Sequence, residues 1–188
     1  GETKRSTYFD GYARRYTDLP MLVMLDEQDT PAGKALVPGR YLRASDMSGE
    51  LASGSNTEWK TLAYDNQGAI VVPNGSIGFR WAADGSAGKG KWNLDDKEAI
   101  GDRQVNLKLS VLEDAQQAET QPADINKVAF PYFGGIVTPN FKHNTQGDIL
   151  LRNVPMQRVT IQDKGVAREV WVATVFDLFC ANYGLDRG

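Results

Sequence analysis

Apolar positions in this chain recur mostly in short runs or with a period of two. Helical spacing is clear only near the two ends. Between Glu2 and Asp18, residues Phe9, Tyr12, Ala13 and Tyr16 stand at i, i+3, i+4 and i+7, which puts them on one helix face. Asp18-Leu19-Pro20 stops that helix, because the residue before a proline avoids the helical region. Met21 to Leu25 is apolar throughout and predicts a short buried strand, followed by a polar loop from Asp26 to Gly33. Trp59 to Tyr64 and Ala69 to Val72 flank Asp65-Asn66-Gln67-Gly68 and predict a hairpin. Ile77 to Trp81 predicts a strand after the Asn74-Gly75 turn.

Val105, Leu107, Leu109 and Val111 alternate with Asn106, Lys108 and Ser110, the pattern of a strand with one wet face. Ile149 to Asn153, Met156 to Ile161 and Val166 to Ala173 predict three more strands, the last two joined at Asp163-Lys164-Gly165. A final helix begins at Thr174, with Asp177 three residues on as in a capping box, and Gly184 is placed to end it in the left-handed conformation. The expected fold class is α+β, mostly antiparallel β hairpins with a short helix near each end. Residues 1–188 read as a single domain, with loose loops at 82–91 and 113–124.

Composition narrows the function. Of 188 residues, 41% are hydrophobic and 24% charged, as in globular domains. The net charge of −3 gives no electrostatic footprint for nucleic acid. No apolar run approaches the ~20 residues of a membrane-spanning helix, so no direct membrane insertion is expected. One cysteine, Cys180, excludes an internal disulfide.

The chain carries several uncommon blocks: Tyr16-Thr17-Asp18-Leu19-Pro20-Met21-Leu22-Val23, Glu58-Trp59-Lys60-Thr61, and Pro73-Asn74-Gly75-Ser76-Ile77-Gly78-Phe79-Arg80-Trp81. Gly90-Lys91-Trp92-Asn93-Leu94, Phe130-Pro131-Tyr132-Phe133-Gly134-Gly135 and Ala181-Asn182-Tyr183-Gly184-Leu185-Asp186-Arg187-Gly188 follow in order. Together they resemble the catalytic alpha subunit of respiratory, membrane-associated nitrate reductase, a molybdenum enzyme of the dimethyl-sulfoxide-reductase superfamily. With Gly1 at the start and no initiator methionine, the expectation is an excised internal segment of a much longer subunit. The resemblance implies a parent oxidoreductase that reduces nitrate to nitrite in anaerobic respiration. That parent would use molybdenum bis(molybdopterin guanine dinucleotide) and a [4Fe-4S] cluster. Its implied partners are the rest of the alpha subunit, an iron–sulfur beta subunit and a membrane gamma subunit, with the assembly peripheral to the membrane on its cytoplasmic side.

The segment itself is expected to be a structural and docking piece, inactive alone, with no catalytic, cofactor-binding or metal residue. A cluster needs several soft donors, and this chain offers one Cys and one His, His143. Gly85-Ser86-Ala87-Gly88-Lys89-Gly90 departs from the phosphate-loop motif, with Ala83 and Gly90 where Gly and Ser or Thr are needed. Cys180 reads as a buried inert thiol, and Asn74-Gly75-Ser76 as a turn rather than a glycan acceptor. Asp95-Asp96 and Glu113-Asp114 read as solvated neighbours rather than a convergent catalytic pair. Since the implied substrate is an anion, Arg14, Arg15, Arg40, Arg43 and Arg80 are open candidates for a substrate funnel. The aromatic faces at both ends are expected to be surfaces that something else covers. The alternative readings are an independent β-rich binding module and a free-standing hydrolase using the acidic pairs.

Overall fold

A computed structural model describes residues 6–30, 33–73, 98–101, 103–113, 123–131 and 149–185. Helix α1 (Thr7–Tyr16) leads into strands β1 (Leu22–Thr30) and β2 (Gly33–Tyr41). Two short 3-10 turns, Ala44–Asp46 and Thr57–Trp59, precede the small strands β3 (Ala63–Tyr64) and β4 (Ile70–Val71). Strands β5 (Asp124–Pro131), β6 (Ile149–Asp163) and β7 (Val166–Thr174) follow, and helix α2 (Val175–Tyr183) comes last.

The expectation of hairpins with terminal helices is right in class but lacked the closure. Strands β1, β2, β5, β6 and β7 form a closed five-stranded barrel, in that order. Neighbours are antiparallel except β2 and β5, which meet in parallel at Leu36 and Val128. β7 returns to β1, pairing Thr174 with Leu22 and Trp171 with Leu25, and this closes the ring. β3 and β4 make a separate two-stranded sheet.

β1 explains why an unbroken apolar run marks a strand. Val23 and Leu25 join Val128, Phe130, Val154, Met156 and Ala173, a cluster to which every barrel strand contributes, with Leu36 and Tyr41 from β2. Helix α2 adds Leu178 and Ala181 to the same cluster. Leu22 and Met24 point the other way, against Leu42, Leu62, Tyr64, Val72 and Val111. The strand is buried on both faces, so alternation disappears.

The structure corrects several sequence expectations. Asp26 to Gly33 is not a plain loop: β1 and β2 continue as a paired ribbon to Thr30 and Gly33. Asp26, Glu27, Gln28 and Asp29 are all exposed there, which removes the hydrophobic signal, while the backbone ladder and a Glu27–Lys34 ion pair of 3.2 Å hold the pairing. β2 itself was not foreseen: it carries Pro38 and Gly39, two residues that locally disfavour a strand. The chain absorbs them in a register shift between Val23 and Leu25. Gly39 is required there: an added Cβ would lie 2.5 Å from Asp26 Oδ2 and 3.2 Å from the Met24 carbonyl.

The first arm of the predicted hairpin is shorter than expected, since Trp59 belongs to a 3-10 turn and only Ala63–Tyr64 pairs with Ile70–Val71. The turn holds as expected, with Asp65 Oδ1 accepting from the Gln67 and Ala69 amides at 3.0 and 2.9 Å. Ile149–Asn153 and Met156–Ile161 are one continuous strand. β6 changes partner beside Pro155, from β5 along Ile149–Met156 to β7 from Gln157 onward, so a residue without a donor is tolerated. The β6–β7 turn has positive φ at both Lys164 (52°) and Gly165 (83°), the conformation favoured in two-residue hairpins.

Val105, Leu107, Leu109 and Val111 are all buried, yet they do not form a strand. Leu107 makes only an isolated bridge with Asp65, and Lys108 and Ser110 are buried too. The Lys108 amide and Asn106 carbonyl pair with the backbone of Tyr64 and Asn66, while side chains take the Leu107 carbonyl and the Leu109 and Val111 amides that a longer partner strand would otherwise satisfy. Of the two expected loose loops, 82–91 lies outside the described residues. In 113–124, residues 114–122 lie outside, Glu113 is tied into a hydrogen-bonded turn, and Asp124 begins β5. The expected strand at Ile77–Trp81 also lies outside.

Candidate docking surface and its buried support

Helix α1 starts at Ser6, whose hydroxyl accepts from the Phe9 amide at 3.1 Å. It stops at Thr17, whose hydroxyl donates to the Ala13 carbonyl at 2.6 Å and accepts from the Leu19 amide at 3.2 Å. The described helix is thus shorter than the expected Glu2–Asp18, and residues 2–5 lie outside the described set. One side of α1 carries Tyr8, Tyr12 and Tyr16 at spacing i, i+4, i+8. Their rings neighbour one another, with centroids 6.4 Å apart for Tyr8–Tyr12 and 5.2 Å for Tyr12–Tyr16. Only Ala13 is buried in this helix.

α2 is set by the local rules its sequence announced. Thr174 caps it, accepting from the Asp177 amide at 3.0 Å, and Gly184 ends it at φ 65°. Phe176 turns inward with Cys180, packing on Ala13 and Leu109. Phe9 and Phe176 bridge the two helices at 6.5 Å. Phe179 and Tyr183 stay outside, 4.8 Å apart.

The result is an aromatic face carried by two helices. Tyr8 is 82% exposed, Tyr12 50%, Tyr16 56%, Phe179 46% and Tyr183 67%, and Leu185 adds to them. The two aromatic stripes read from the sequence are therefore only partly used in packing within the chain. Exposed apolar surface of this kind marks an interaction site more often than scattered single residues do. Beside α1 runs a groove of 460 Å³ lined by Thr7, Tyr8, Gly11, Tyr12, Arg15 and Tyr16.

Beneath this face lies a support made of a partly buried ion pair and a fully buried carboxylate. Arg14 Nη1 donates to the Leu107 carbonyl and to Glu113 Oε2, the latter at 3.0 Å. The same Glu113 oxygen accepts from the Leu109 amide at 2.9 Å. Asp177, fully buried, accepts from Ser110 Oγ at 2.7 Å, the Val111 amide at 2.9 Å and Thr174 Oγ1 at 2.9 Å. The capping-box pair is real at Thr174, but the Asp177 carboxylate is turned toward residues 110 and 111. Helix α1 through Arg14 and helix α2 through Asp177 therefore grip one segment, 107–113. Sequence reasoning missed this, because no local pattern joins Asp177 to Val111.

The candidate arginines separate. Arg14 belongs to the support just described. Arg40 forms a two-pronged pair with Asp46, at 2.7 and 2.6 Å. Burial works to raise the Asp46 carboxyl, but the Arg40 hydrogen bonds and the Arg43 amide outweigh it and hold the group below its ordinary value. The bonds to Asp46 raise Arg40 in turn. Arg43 gives its backbone amide to Asp46 at 2.8 Å. Arg15 is exposed and lines the α1 groove, and Arg80 lies outside the described residues. The four described arginines do not converge on one cavity. Tyr41 ties the end of β2 to Asp18 with a 2.5 Å hydrogen bond, and burial together with that bond pushes its hydroxyl up to about 12.

Among the other residues weighed in the sequence, Glu113 is structural and Cys180 is buried in an apolar cluster. Asn74-Gly75-Ser76, Gly85–Gly90, Asp95-Asp96, Asp114 and His143 lie outside the described residues. Among the described residues, no group of three or more His, Cys, Asp or Glu side chains is arranged to hold a metal.

No family model matches the chain. Along almost its whole length, however, it is homologous to the alpha chains of nitrate reductases. It is 44% identical over 183 residues to the respiratory nitrate reductase 2 alpha chain of Escherichia coli (strain K12), covering 97% of this chain. The nitrate reductase alpha chain of Bacillus subtilis (strain 168) is 31% identical over 190 residues, covering all of it. The chain spans 13% and 12% of the length of these two relatives. The resemblance read from the sequence blocks is thereby borne out.

Proposed function

We propose that this chain is a structural segment of a nitrate reductase alpha subunit, forming one domain over residues 1–188, in an enzyme that reduces nitrate to nitrite in anaerobic respiration. The observation that carries this reading is the 44% identity over 183 residues to an alpha chain of that enzyme. The chemistry belongs to the parent, through molybdenum bis(molybdopterin guanine dinucleotide) and a [4Fe-4S] cluster held elsewhere in the polypeptide. The residues described here do not fit either group. The one thiol, Cys180, is buried against Ala13, Leu109 and Phe176, out of reach of a metal cluster.

The role left to the segment is to dock and support, with no catalytic residue of its own. An Arg-lined funnel is not part of this reading, because Arg14 and Arg40 are committed to Glu113 and Asp46. The parent's partners are the iron–sulfur beta subunit and the membrane gamma subunit, with the alpha subunit peripheral to the membrane on its cytoplasmic side. No helix among the described residues is long and apolar enough to cross a membrane.

Two measurements test this. The complete polypeptide, expressed with its partner subunits, is expected to oxidise a reduced viologen dye in a nitrate-dependent reaction. The purified 188-residue chain is expected to carry neither iron nor molybdenum by elemental analysis. Stoichiometric metal that survives chelation and gel filtration would overturn the non-catalytic role. Absence of nitrate-dependent activity in the complete assembly would overturn the family function.

A further inference from the structure

Gly11 sits in the middle of α1, where glycine weakens a helix relative to alanine through its backbone entropy. Nothing among the described residues calls for it. An added Cβ would meet no atom within 4 Å, and no positive φ demands a glycine. The missing side chain leaves a notch in the groove, bordered by Tyr8, Tyr12 and Arg15. Tyr8, Tyr12 and Tyr16 form a ladder of neighbouring rings alongside it, and Arg14, one helical position before Arg15, is anchored inward on Glu113. The support below is therefore tied to segment 107–113, while among the described residues the outer face stays exposed. Tyrosines around a notch are the usual makeup of the buried centre of an interface, because they offer large area on few rotatable bonds and carry a hydroxyl that can donate at the rim.

We propose that the Gly11 notch receives an apolar side chain from another part of the same alpha polypeptide, and that the outer face of α1 and α2 is an intramolecular docking surface. This rests on the reading above. What names the occupant is length: the matched segment makes up only 13% of an alpha chain, so the remainder of that chain is tethered to this face and present at high effective concentration. The facing surface supplies a protruding apolar side chain, ringed by carbonyl or carboxylate oxygens that accept from the tyrosine hydroxyls.

The test is tyrosine-directed chemical labelling read by mass spectrometry on the complete polypeptide, with nitrate reductase activity measured on the same sample. Tyr8, Tyr12 and Tyr16 are expected to label at least tenfold more slowly than in the 188-residue chain. Gly11→Trp, which fills the notch, is expected to restore their labelling. Equal labelling in an active polypeptide overturns the docking proposal and leaves the proposed function standing. Protected tyrosines in a polypeptide without nitrate reductase activity sink the proposed function instead. Sedimentation of the 188-residue chain supplies the control: a dimer with protected tyrosines would make a second copy the occupant and overturn the proposal. Gly11→Ala closes the remaining gap. It is expected to raise the unfolding midpoint of the 188-residue chain; a lowered midpoint would mean that glycine serves this chain's own fold, and would also overturn it.

Discussion

Asp177→Ala should be among the most damaging single changes outside the apolar core. The carboxylate is fully buried and accepts three hydrogen bonds, from Ser110 Oγ, the Val111 amide and Thr174 Oγ1. Removing it leaves the Val111 amide without this acceptor in a dry site, which costs about 1–3 kcal/mol. The two hydroxyls can rotate toward other acceptors, so each loses about 1 kcal/mol. The expected total is about 3–5 kcal/mol, a large share of the roughly 5–15 kcal/mol that stabilises a typical domain. Asp177→Asn is the control. Its carbonyl oxygen keeps the Val111 and Thr174 bonds and its NH2 can donate to Ser110 Oγ, so the cost falls to about 1–2 kcal/mol. Urea unfolding of the three proteins reads these values as midpoint shifts at constant slope. A double-mutant cycle with Ser110→Ala should give a coupling of about 1 kcal/mol. If Asp177→Ala lies within about 1 kcal/mol of the wild type, segment 107–113 is not held through α2 and the reasoning fails.

Thr174→Ala should cost about 1–2 kcal/mol through loss of the cap and of the bond to Asp177, with Thr174→Ser recovering most of it; denaturant midpoints decide, and equal losses for both variants would count against the cap. Gly39→Ala should destabilise by about 1–3 kcal/mol, because the new methyl presses on the Asp26 carboxylate and the Met24 carbonyl. Adding Asp26→Ala should recover part of this but not all, since the carbonyl stays, and full recovery would refute the backbone contact. The third concerns acid. Asp46 titrates below its ordinary value of 3.8 when folded and near it when unfolded, so its stabilising contribution is complete above about pH 4. That contribution is lost as the pH falls through the lowered folded value, because the unfolded chain takes up the proton first. Asp46→Asn should lose less stability than the wild type between about pH 4 and pH 2, and identical acid limbs in thermal melts would rule the pair out as a contributor.

What the sequence could disclose was local or doubly apolar. The cap at Thr174, the left-handed stop at Gly184 and the Lys164-Gly165 turn each follow from a few adjacent residues, and all three stand. The Met21–Leu25 run was legible because burial on both faces leaves no polar position inside it. β2 was not legible, since Pro38-Gly39 is a breaker by local rules and the bulge that accommodates it depends on β1. Residues 105–111 show the limit of periodicity: alternation correctly marked the buried side chains, but beyond a short contact with Tyr64 and Asn66 the backbone partners are the side chains of Arg14, Glu113 and Asp177 rather than a continuous strand. The aromatic face was visible as helical spacing at both ends. That the two helices sit together at the barrel's closing edge depends on the pairing of β1 with β7, to which no local pattern points.

That pairing also sets a timetable for synthesis. Val23 is hydrogen-bonded into register with Ala173, nearly the whole described chain away. A ribosome adding about 5–20 residues per second would expose β1 for roughly 7–30 s before β7 emerged. Throughout that interval Leu22, Val23, Met24 and Leu25 would present an apolar strand with an open edge, a template for mispairing between nascent chains. Long-range closure of this kind is also slow once the chain is complete. Chaperone occupancy early in translation, and a folding yield that falls as expression is driven faster, are the expected cellular costs of fastening the barrel at its two most distant strands.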